Sequence, residues 1–396
     1  MQARSTLCGG QLDPELLPGS ARRKGVRYHP RSHTPAESMS EKAAKKARTD
    51  AGETADPPVS VPVDEAKSTT AAALQKIGWD AEDAALQAEI MTAAELCGNN
   101  QGLVKMFQPA LMKPAPNAGK PVIERDTPTS AVVNGMQAPG MLAAVKAADL
   151  AASKVLAGTA GPIAMVSAYN TSTSSGQLAF YVDRMAKQGV IGIAVANSPE
   201  FVAPAKGAKA AFGTNPMAFG LPRAGASPLV FDMATSAVAL FGVLTAKAKG
   251  EPLPEGVAYG ADGGFTTDAT EVLGGGAIAT FGGHKGAGLA LMIELLAGAL
   301  SGGATLGQVS SKKEAKSWGH TIIAIKPEGF VDGFAEKCAA TCAAVKAAGP
   351  DVVRLPGESS EATRAQNVAA GTLPVPAKIW AVIQETAKHG LPSSSL

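Results

Sequence analysis

The chain contains 396 residues, of which 45% are hydrophobic, and its formal net charge is only +2. This length and composition predict a folded protein of about two domains. The near-neutral charge gives no support for nucleic-acid binding, and no run of about 18 uncharged apolar residues predicts a membrane span. The four cysteines are scattered apart from Cys338 and Cys342. This pattern indicates a reducing compartment, and we expect a cytoplasmic protein.

The first 58 residues differ in composition from the rest of the chain. They are rich in Arg, Lys, Ser, Pro and Gly, and with almost no apolar clusters they cannot bury enough surface to offset the entropy lost on ordering. We therefore predict a disordered extension over residues 1–58. The alternatives are an organelle-targeting peptide, a nuclear signal near Lys42–Lys46, or a tail ahead of a start at Met39. Frequent acidic residues disfavour a transit peptide.

Two helical patterns follow, at Val63–Ile77 and Ala81–Leu96, and they predict an antiparallel pair. Asp80 is a suitable N-cap for the second helix and Gly98 a suitable terminator. Farther along, runs of strand length alternate with helical patterns, which indicates a mixed α/β fold. The predicted strands are Ser130–Val133, Ile163–Tyr169, Val190–Ala196, Leu229–Met233 and Thr321–Ile325, and the predicted helices are Gly140–Leu156, Leu178–Gln188, Val238–Lys249, one from Gly286, Phe330–Ala348 and Trp380–Lys388.

A glycine cluster, Gly282–Gly288, follows the strand-like Ala277–Phe281 and opens a helix. Its spacing fits neither the dinucleotide-binding fingerprint nor a P-loop. Glycines nevertheless admit close backbone approach, the first N–H groups of a helix attract anions, and His284 and Lys285 can add positive charge. The cluster is therefore typical of a phosphate or carboxylate site, with a structural glycine turn as the alternative.

Asp232 ends a predicted strand and is followed by Met233–Ser236. Its carboxylate is expected at the carboxyl edge of the strand, where ligands of α/β sheets gather. Alternatively, Asp232 or Thr235 caps the helix that begins near Val238. The nearby Phe212–Pro216 segment is by itself more typical of a turn than of a site.

Histidine is scarce, with five in the chain, and no spacing typical of a metal site occurs, so we expect no metal. The hydroxyl-rich segment Ser172–Gly176 lies between a predicted strand and a predicted helix. It is the nearest relative in this chain of the G-x-S-x-G nucleophile elbow, and helix capping is the alternative role.

Seven motifs, taken in order, resemble the malate/L-lactate dehydrogenase family. This is the NAD(P)-dependent group without a Rossmann fold, and the resemblance runs from about Val61 to Leu391. The motifs are Asn197–Pro199, Phe212–Pro216, Asp232–Ser236, Gly250–Pro254, Gly282–Gly286, Glu294–Gly298 and Arg354–Glu358.

The resemblance implies a non-Rossmann α/β fold, a homodimer, and hydride transfer between NAD or NADP and a small 2-hydroxy or 2-oxo acid. It implies a helical domain built from residues 59–155 and 319–396 around a cofactor-binding α/β domain at 156–318. The cofactor residues that it implies are Ser198, Asp232, Met233, Ala234, Thr235, Ser236, His284, Lys285, Pro356, Gly357 and Glu358.

The chain departs from the family where family members carry two histidines. A typical Ser-His-Gly-x-x-Arg segment is here Asn100–Lys105, and a typical Asn-His-Phe-Gly segment is Thr173–Gly176, so Gln101 and Ser174 replace the histidines. Carbonyl reduction needs a proton, and histidine suits because its pKa of roughly 6.5 lies near working pH. Glutamine cannot titrate, and serine needs a partner base.

We therefore predict a catalytic group of Gln101, Lys105 and Ser174. Lys105 or a water held by Ser174 would supply the proton, while Gln101 and Asn100 orient the carbonyl; Lys105 could instead hold a substrate carboxylate. The departures also leave open a substrate that needs no strong acid, or a non-catalytic homologue that binds a nicotinamide nucleotide. Because both replacements are polar and the cofactor motifs are intact, a repurposed site is favoured. Convergence of this group beside Asp232 and Lys285 would favour catalysis.

Overall fold

The computed structural model describes residues 57–99, 101–158, 161–306, 309 and 318–391. The predicted extension therefore lies outside the described residues except for its last two positions, and Asn100 also lies outside them. In the described part of the chain, no helix combines the length and the apolar character needed to cross a membrane.

A seven-stranded sheet forms the centre of the fold. The strands of the described chain are β1 (Pro58–Pro62), β2 (Val122–Asp126), β3 (Ser130–Asn134), β4 (Ile163–Thr171), β5 (Ile191–Ala196), β6 (Val202–Ala203), β7 (Met217–Leu221), β8 (Leu229–Met233), β9 (Ala258–Tyr259), β10 (Ala277–Ala279), β11 (Trp318–Ile325) and β12 (Thr372–Pro376). The central sheet has the order β2-β3-β4-β11-β5-β7-β8. Only β3 and β4 pair in parallel within it, and the other neighbours are antiparallel.

Helices pack on the central sheet, and other helices form a separate layer from segments near the two ends of the described chain. The long alanine-rich helix predicted at Gly140–Leu156 has these bounds in the structure; it packs on β4 and β11, and most of its side chains are buried. The α-helices are α1 (Val63–Lys76), α2 (Ala81–Leu96), α3 (Gly140–Leu156), α4 (Ala179–Ala186), α5 (Leu240–Lys249), α6 (Ala269–Leu273), α7 (His284–Glu294), α8 (Phe334–Ala347), α9 (Glu358–Ala370) and α10 (Ala377–His389).

The helical layer joins segments from both ends of the described chain. Strand β1 pairs with β12, and α1 packs against α2 and α10. The predicted cap of α2 is confirmed, because Asp80 Oδ1 accepts a hydrogen bond of 2.9 Å from Asp83 N. Gly98 follows the helix with φ of +69°, a conformation that glycine adopts without strain.

Strand β11 lies in the middle of the sheet, between β4 and β5. It begins at Trp318, so the domain boundary predicted between residues 318 and 319 falls within a central strand. Strand β3, which precedes the domain boundary predicted at residue 156, belongs to the same sheet. Some elements also depart from the predictions. Helix α8 begins at Phe334, since a 3₁₀ turn at Pro327–Gly329 and a left-handed Gly333 precede it.

Candidate active site

Two adjoining cavities lie beside the end of β8. The first, about 550 Å³, contains Ser174 on its lining, and we call it the Ser174 cavity. The second, about 610 Å³, contains Pro356, and we call it the Pro356 cavity. Because their linings share several residues, the two form one continuous cleft. The shared residues are Cys97, Asn99, Gln177, Asp232 and Ser360.

The loop after α2 carries Gln101 and Lys105. Gly102 is required there, since a Cβ at this position would lie 2.3 Å from Met91 O. The Glu95 carboxylate on the last turn of α2 accepts a hydrogen bond of 3.0 Å from Leu103 N and so fixes the start of the 3₁₀ turn at Leu103–Phe107. Burial raises the pKa of Glu95 to about 7, although the Leu103 N–H opposes this shift.

The loop after β4 carries Ser174 and packs against the first turn of α3. A Cβ on Gly140 would lie 2.7 Å from Thr173 O, so the two backbones meet closely. Ser174 Oγ accepts a hydrogen bond from Lys105 Nζ. Burial lowers the pKa of Lys105 to about 8, because desolvation disfavours the ammonium form. The structure thus pairs two of the three predicted catalytic residues.

Two of the three predicted catalytic residues line the Ser174 cavity. Gln101 and Ser174 both lie on its lining, together with four predicted cofactor residues. Lys105 reaches this cavity through its hydrogen bond to Ser174. Those four residues are Ser198, Asp232, Met233 and Ala234.

Asp232 lies where the two cavities meet, at the end of the edge strand β8. Its Oδ2 atom accepts a hydrogen bond of 2.8 Å from Ala179 N, the first residue of α4. The carboxylate therefore caps α4 and not the helix near Val238, which corrects one of the two roles predicted for this residue. Burial raises the pKa of Asp232 to about 6, and hydrogen bonds from the Ala179 and Leu178 N–H groups oppose the rise.

Thr235, next to Ser236, supports the wall of the cleft without lining it. Both are buried and lie outside the described linings of the two cavities. The Thr235 hydroxyl donates to Thr214 O at 3.0 Å and to Asn215 O at 3.1 Å. Thr214 N in turn donates to Ser198 Oγ at 3.1 Å. These contacts hold the Thr214 backbone at the cavity wall, so the structure shows Thr235 in a supporting position.

A buried network connects this loop to α7 and β11. The Glu294 carboxylate accepts hydrogen bonds from Asn197 Nδ2 at 3.1 Å and from Asn215 Nδ2 at 2.9 Å. Asn197 Oδ1 accepts from Gly319 N at 2.7 Å. Burial raises the pKa of Glu294, against the two amide hydrogen bonds. The sequence contained a signal for this network, since Glu294 is an isolated acid within a long apolar helix.

The remaining predicted cofactor residues separate into two groups. His284 and Lys285 are exposed at the start of α7 and lie outside the described cavity linings, so Lys285 does not join the catalytic group there. Pro356, Gly357 and Glu358 line the Pro356 cavity.

Glu358 is held in place at the first turn of α9. Lys346 Nζ lies 2.6 Å from one carboxylate oxygen, and Leu355 N donates to the other at 2.9 Å. These two partners lower the pKa of Glu358. The adjacent Gly357 has φ of +74° and approaches Val230 O so closely that a Cβ would lie 2.5 Å away. The C-terminal segment is thereby attached to strand β8.

The sequence profile of the malate/L-lactate dehydrogenase family matches residues 61–384. The chain belongs to this family. It is 41% identical over 187 residues to (2R)-3-sulfolactate dehydrogenase (NADP(+)) of Chromohalobacter salexigens, which is 46% of this chain and 55% of that protein. The chain thus spans little more than half the length of that relative.

Other relatives match over a larger share of the chain. The malate dehydrogenase of Pyrococcus abyssi is 34% identical over 284 residues, covering 69% of this chain and 77% of that protein. The crystal structure of Δ1-piperideine-2-carboxylate reductase from Pseudomonas syringae superposes with a TM-score of 0.76 at 29% identity, covering 83% of this chain and 99% of that one. The fold predicted from the resemblance is confirmed.

Proposed function

We propose that the chain is an NAD(P)-dependent dehydrogenase or reductase that transfers a hydride between the nicotinamide and a small 2-hydroxy or 2-oxo acid. The proposal is supported by family membership and by relatives whose names include malate and sulfolactate dehydrogenases. The observation that carries it is the Lys105–Ser174 hydrogen bond beside the cavity. A titratable donor is therefore present beside Ser174, a position at which the resemblance implies a histidine.

The described cleft fits a nicotinamide dinucleotide. Predicted cofactor residues line both of its parts, Ser198 and Asp232 in one and Pro356–Glu358 in the other. On the two linings, Trp318 Nε1 and Thr92 Oγ1 have no hydrogen-bond partner within the described residues. Buried polar atoms normally have partners, so polar ligand atoms at these positions would satisfy them. When bound, the nicotinamide supplies or accepts the hydride.

Proton transfer is assigned to Ser174 and Lys105. In the reducing direction, Ser174 gives its hydroxyl proton to the oxygen formed from the carbonyl and takes a proton from the Lys105 ammonium. In the oxidising direction the neutral amine accepts the proton. Gln101 cannot titrate, and its place on the same lining suits it to orient the substrate carbonyl by a hydrogen bond.

The position of Lys105 favours this relay over a role in binding the substrate carboxylate. Its ammonium donates to Ser174 and is desolvated, and Lys105 is not among the residues that line the two cavities. A carboxylate-binding lysine would have to face the cavity directly to act as a point charge.

We also propose a homodimer. Helix α7 and the following π-helical turn, Leu295–Ala299, expose a row of large apolar side chains. An apolar row of this kind on a folded protein indicates an interaction surface, and a second copy of the chain is its expected occupant. The exposed residues are Leu291, Met292, Leu295, Leu296 and Leu300, which are 37% to 53% exposed.

The test is a hydride-transfer assay on the full chain. We expect oxidation of NADH or NADPH with at least one member of a panel of 2-oxo acids and cyclic imines, together with binding in a cofactor titration. Cofactor binding without turnover on any of them would favour a non-catalytic nucleotide-binding homologue. Failure to bind either cofactor would refute both functions.

A further inference from the structure

Ser174 lies on the cavity lining, and Lys105 Nζ donates a hydrogen bond to its hydroxyl. In its neutral form the lysine can serve as the partner base that a serine nucleophile requires. Serine with an adjacent general base is a known arrangement for covalent catalysis, and lysine is one of the bases that can serve.

Desolvation gives Lys105 the property that a base needs. With a pKa of about 8, roughly one lysine in ten is neutral at pH 7 and about half are neutral at pH 8. An exposed lysine, with a pKa of about 10.4, would be almost fully protonated at both values. The neutral amine can accept the Ser174 proton.

We propose that Ser174 is a nucleophile activated by Lys105, and that this cavity hydrolyses small carboxylic esters without any cofactor. This activity goes beyond the proposed hydride transfer and does not depend on it. The cavity of about 550 Å³ has room for a small ester.

The loop that carries Ser174 is fixed on both sides of this residue. Ser172 N donates to Ala138 O at 3.0 Å, and Gly140 N donates to Thr173 O at 3.0 Å. After it, the Tyr181 hydroxyl donates to Ser175 O at 2.6 Å. A nucleophile held by contacts of this kind keeps its geometry, which raises its effectiveness.

Amide side chains on the same lining can stabilise the oxyanion that ester attack creates. Asn99, Gln101 and Gln177 all line the Ser174 cavity, and each amide has N–H donors. Donors directed at a developing oxyanion contribute strongly to acyl transfer. The cavity lining thus contains a nucleophile and amide donors, and the base is hydrogen-bonded to the nucleophile.

The chemical steps are balanced without an oxidant or reductant. Ser174 Oγ forms a bond to the ester carbonyl carbon while neutral Lys105 takes the serine proton. The tetrahedral species collapses, the bond from carbon to the alcohol oxygen breaks, and the leaving alcohol takes the proton back from Lys105. Water then attacks the acyl-serine with Lys105 again as the base, which releases the carboxylic acid and restores the hydroxyl.

The experiment uses the full chain without cofactor, p-nitrophenyl acetate as substrate and a fluorophosphonate as a covalent probe. We expect ester hydrolysis above the buffer rate and a probe adduct that peptide mass mapping locates at Ser174. The labelling rate should rise with pH around a midpoint of about 8. Ser174→Ala should abolish the adduct, and Lys105→Arg, which removes the base, should slow labelling by about 100-fold.

Ser172→Ala is the matched control, since it changes a serine of the same loop and should keep the labelling rate. Circular dichroism and cofactor titration on each variant separate loss of chemistry from loss of fold. An adduct elsewhere, or unchanged labelling in Lys105→Arg, would overturn the proposal. Hydride transfer is measured on the same preparations, so turnover without any adduct at Ser174 sinks this inference and leaves the proposed function standing.

Discussion

Two carboxylates, the buried Glu294 and the half-buried Glu95, hold the two sides of the candidate site, and the protein compensates their desolvation differently. Glu294, on the side where the family motifs are intact, accepts from two asparagine amides. Glu95, on the side that carries Gln101 and Lys105, accepts from the Leu103 N–H. Burial raises the pKa of both, and that of Glu95 reaches about 7. The Glu294 carboxylate on the cofactor side is therefore compensated by two amide donors, whereas the catalytic loop depends on a carboxylate whose charge is weakly compensated.

The same substitution should act oppositely at the two carboxylates. In Glu294→Gln, the new amide nitrogen would face Asn197 Nδ2 or Asn215 Nδ2, two donors against each other. Asn197 cannot simply turn its amide, since its Oδ1 and Nδ2 atoms also bind Gly319 N and Ala304 O. A buried donor without an acceptor costs about 1 to 3 kcal/mol.

We therefore expect Glu294→Gln to lower the free energy of unfolding by about 3 kcal/mol, since a charged acceptor is lost as well. Urea titration at pH 7, with an unchanged slope of the transition, measures this loss. A change of less than about 1 kcal/mol would mean that the network contributes little.

Lys105→Met tests the catalytic side of the comparison. It removes the titratable donor while filling similar volume, so hydride transfer should fall by about 100-fold, or about 2.7 kcal/mol. The dissociation constant of the cofactor should change by less than about twofold, because Lys105 is not one of the residues predicted to bind the cofactor. Steady-state kinetics and fluorescence titration provide the two values, and an unchanged kcat would exclude Lys105 as the proton donor.

Glu95→Gln should stabilise the protein at alkaline pH. The amide oxygen can still accept from Leu103 N, and no charge is buried. The pKa of Glu95 in the folded protein, about 7, lies above its ordinary value of 4.5. Protonation of this carboxyl group therefore stabilises the folded state. The stabilisation is complete below pH 4.5 and is lost as the pH rises through 7.

The gain in unfolding free energy for Glu95→Gln should be about 2 kcal/mol at pH 8 and near zero at pH 4. Guanidinium titrations of both proteins at these two pH values measure it. If Glu95→Gln changed the free energy of unfolding equally at both pH values, ionisation of Glu95 would not be the cause of the change.

The smallest effect that we predict is the change in the rate of hydride transfer with pH. Reduction needs the Lys105 ammonium, whose pKa is about 8, so the protonated fraction falls from about nine tenths at pH 7 to about one tenth at pH 9. The kcat for reduction should fall by roughly tenfold over this range, and kcat for oxidation should rise. A flat profile in both directions would assign the proton to another group.

The sequence predicted elements that have strong local signals. Helix α2 was located with its cap because Asp80 and Gly98 flank a run rich in helix-forming Ala, Glu and Leu. Helix α9, in contrast, has no buried residue among its thirteen, so it shows no apolar periodicity from which a helix could be inferred. Strand β7 was missed because it follows a proline turn and contains a glycine.

The sequence identified several residues that line the candidate site, but it did not identify the structural role of each. Asp232 was expected at a ligand-binding edge, and the structure places it between two cavities, but its partner Ala179 is distant in sequence and no pattern indicated it. A threonine hydroxyl can bind a ligand or support a neighbouring loop, and the sequence does not distinguish the two roles. Only the tertiary contacts show that Thr235 supports the loop at Thr214. Glu95 was overlooked because an acid beside a helix end usually faces solvent.

The central position of β11 has a consequence for how the chain folds. Its neighbours, β4 and β5, end at Thr171 and Ala196, while β11 runs from Trp318 to Ile325. Until that late segment is available, the sheet exists only as two separate sets of three strands with unpaired edges facing each other. Closing such long chain loops is entropically slow. During synthesis, both edges therefore stay open to incorrect pairing until the ribosome has passed residue 325, and a chaperone that shields them in this interval should raise the yield of folded protein.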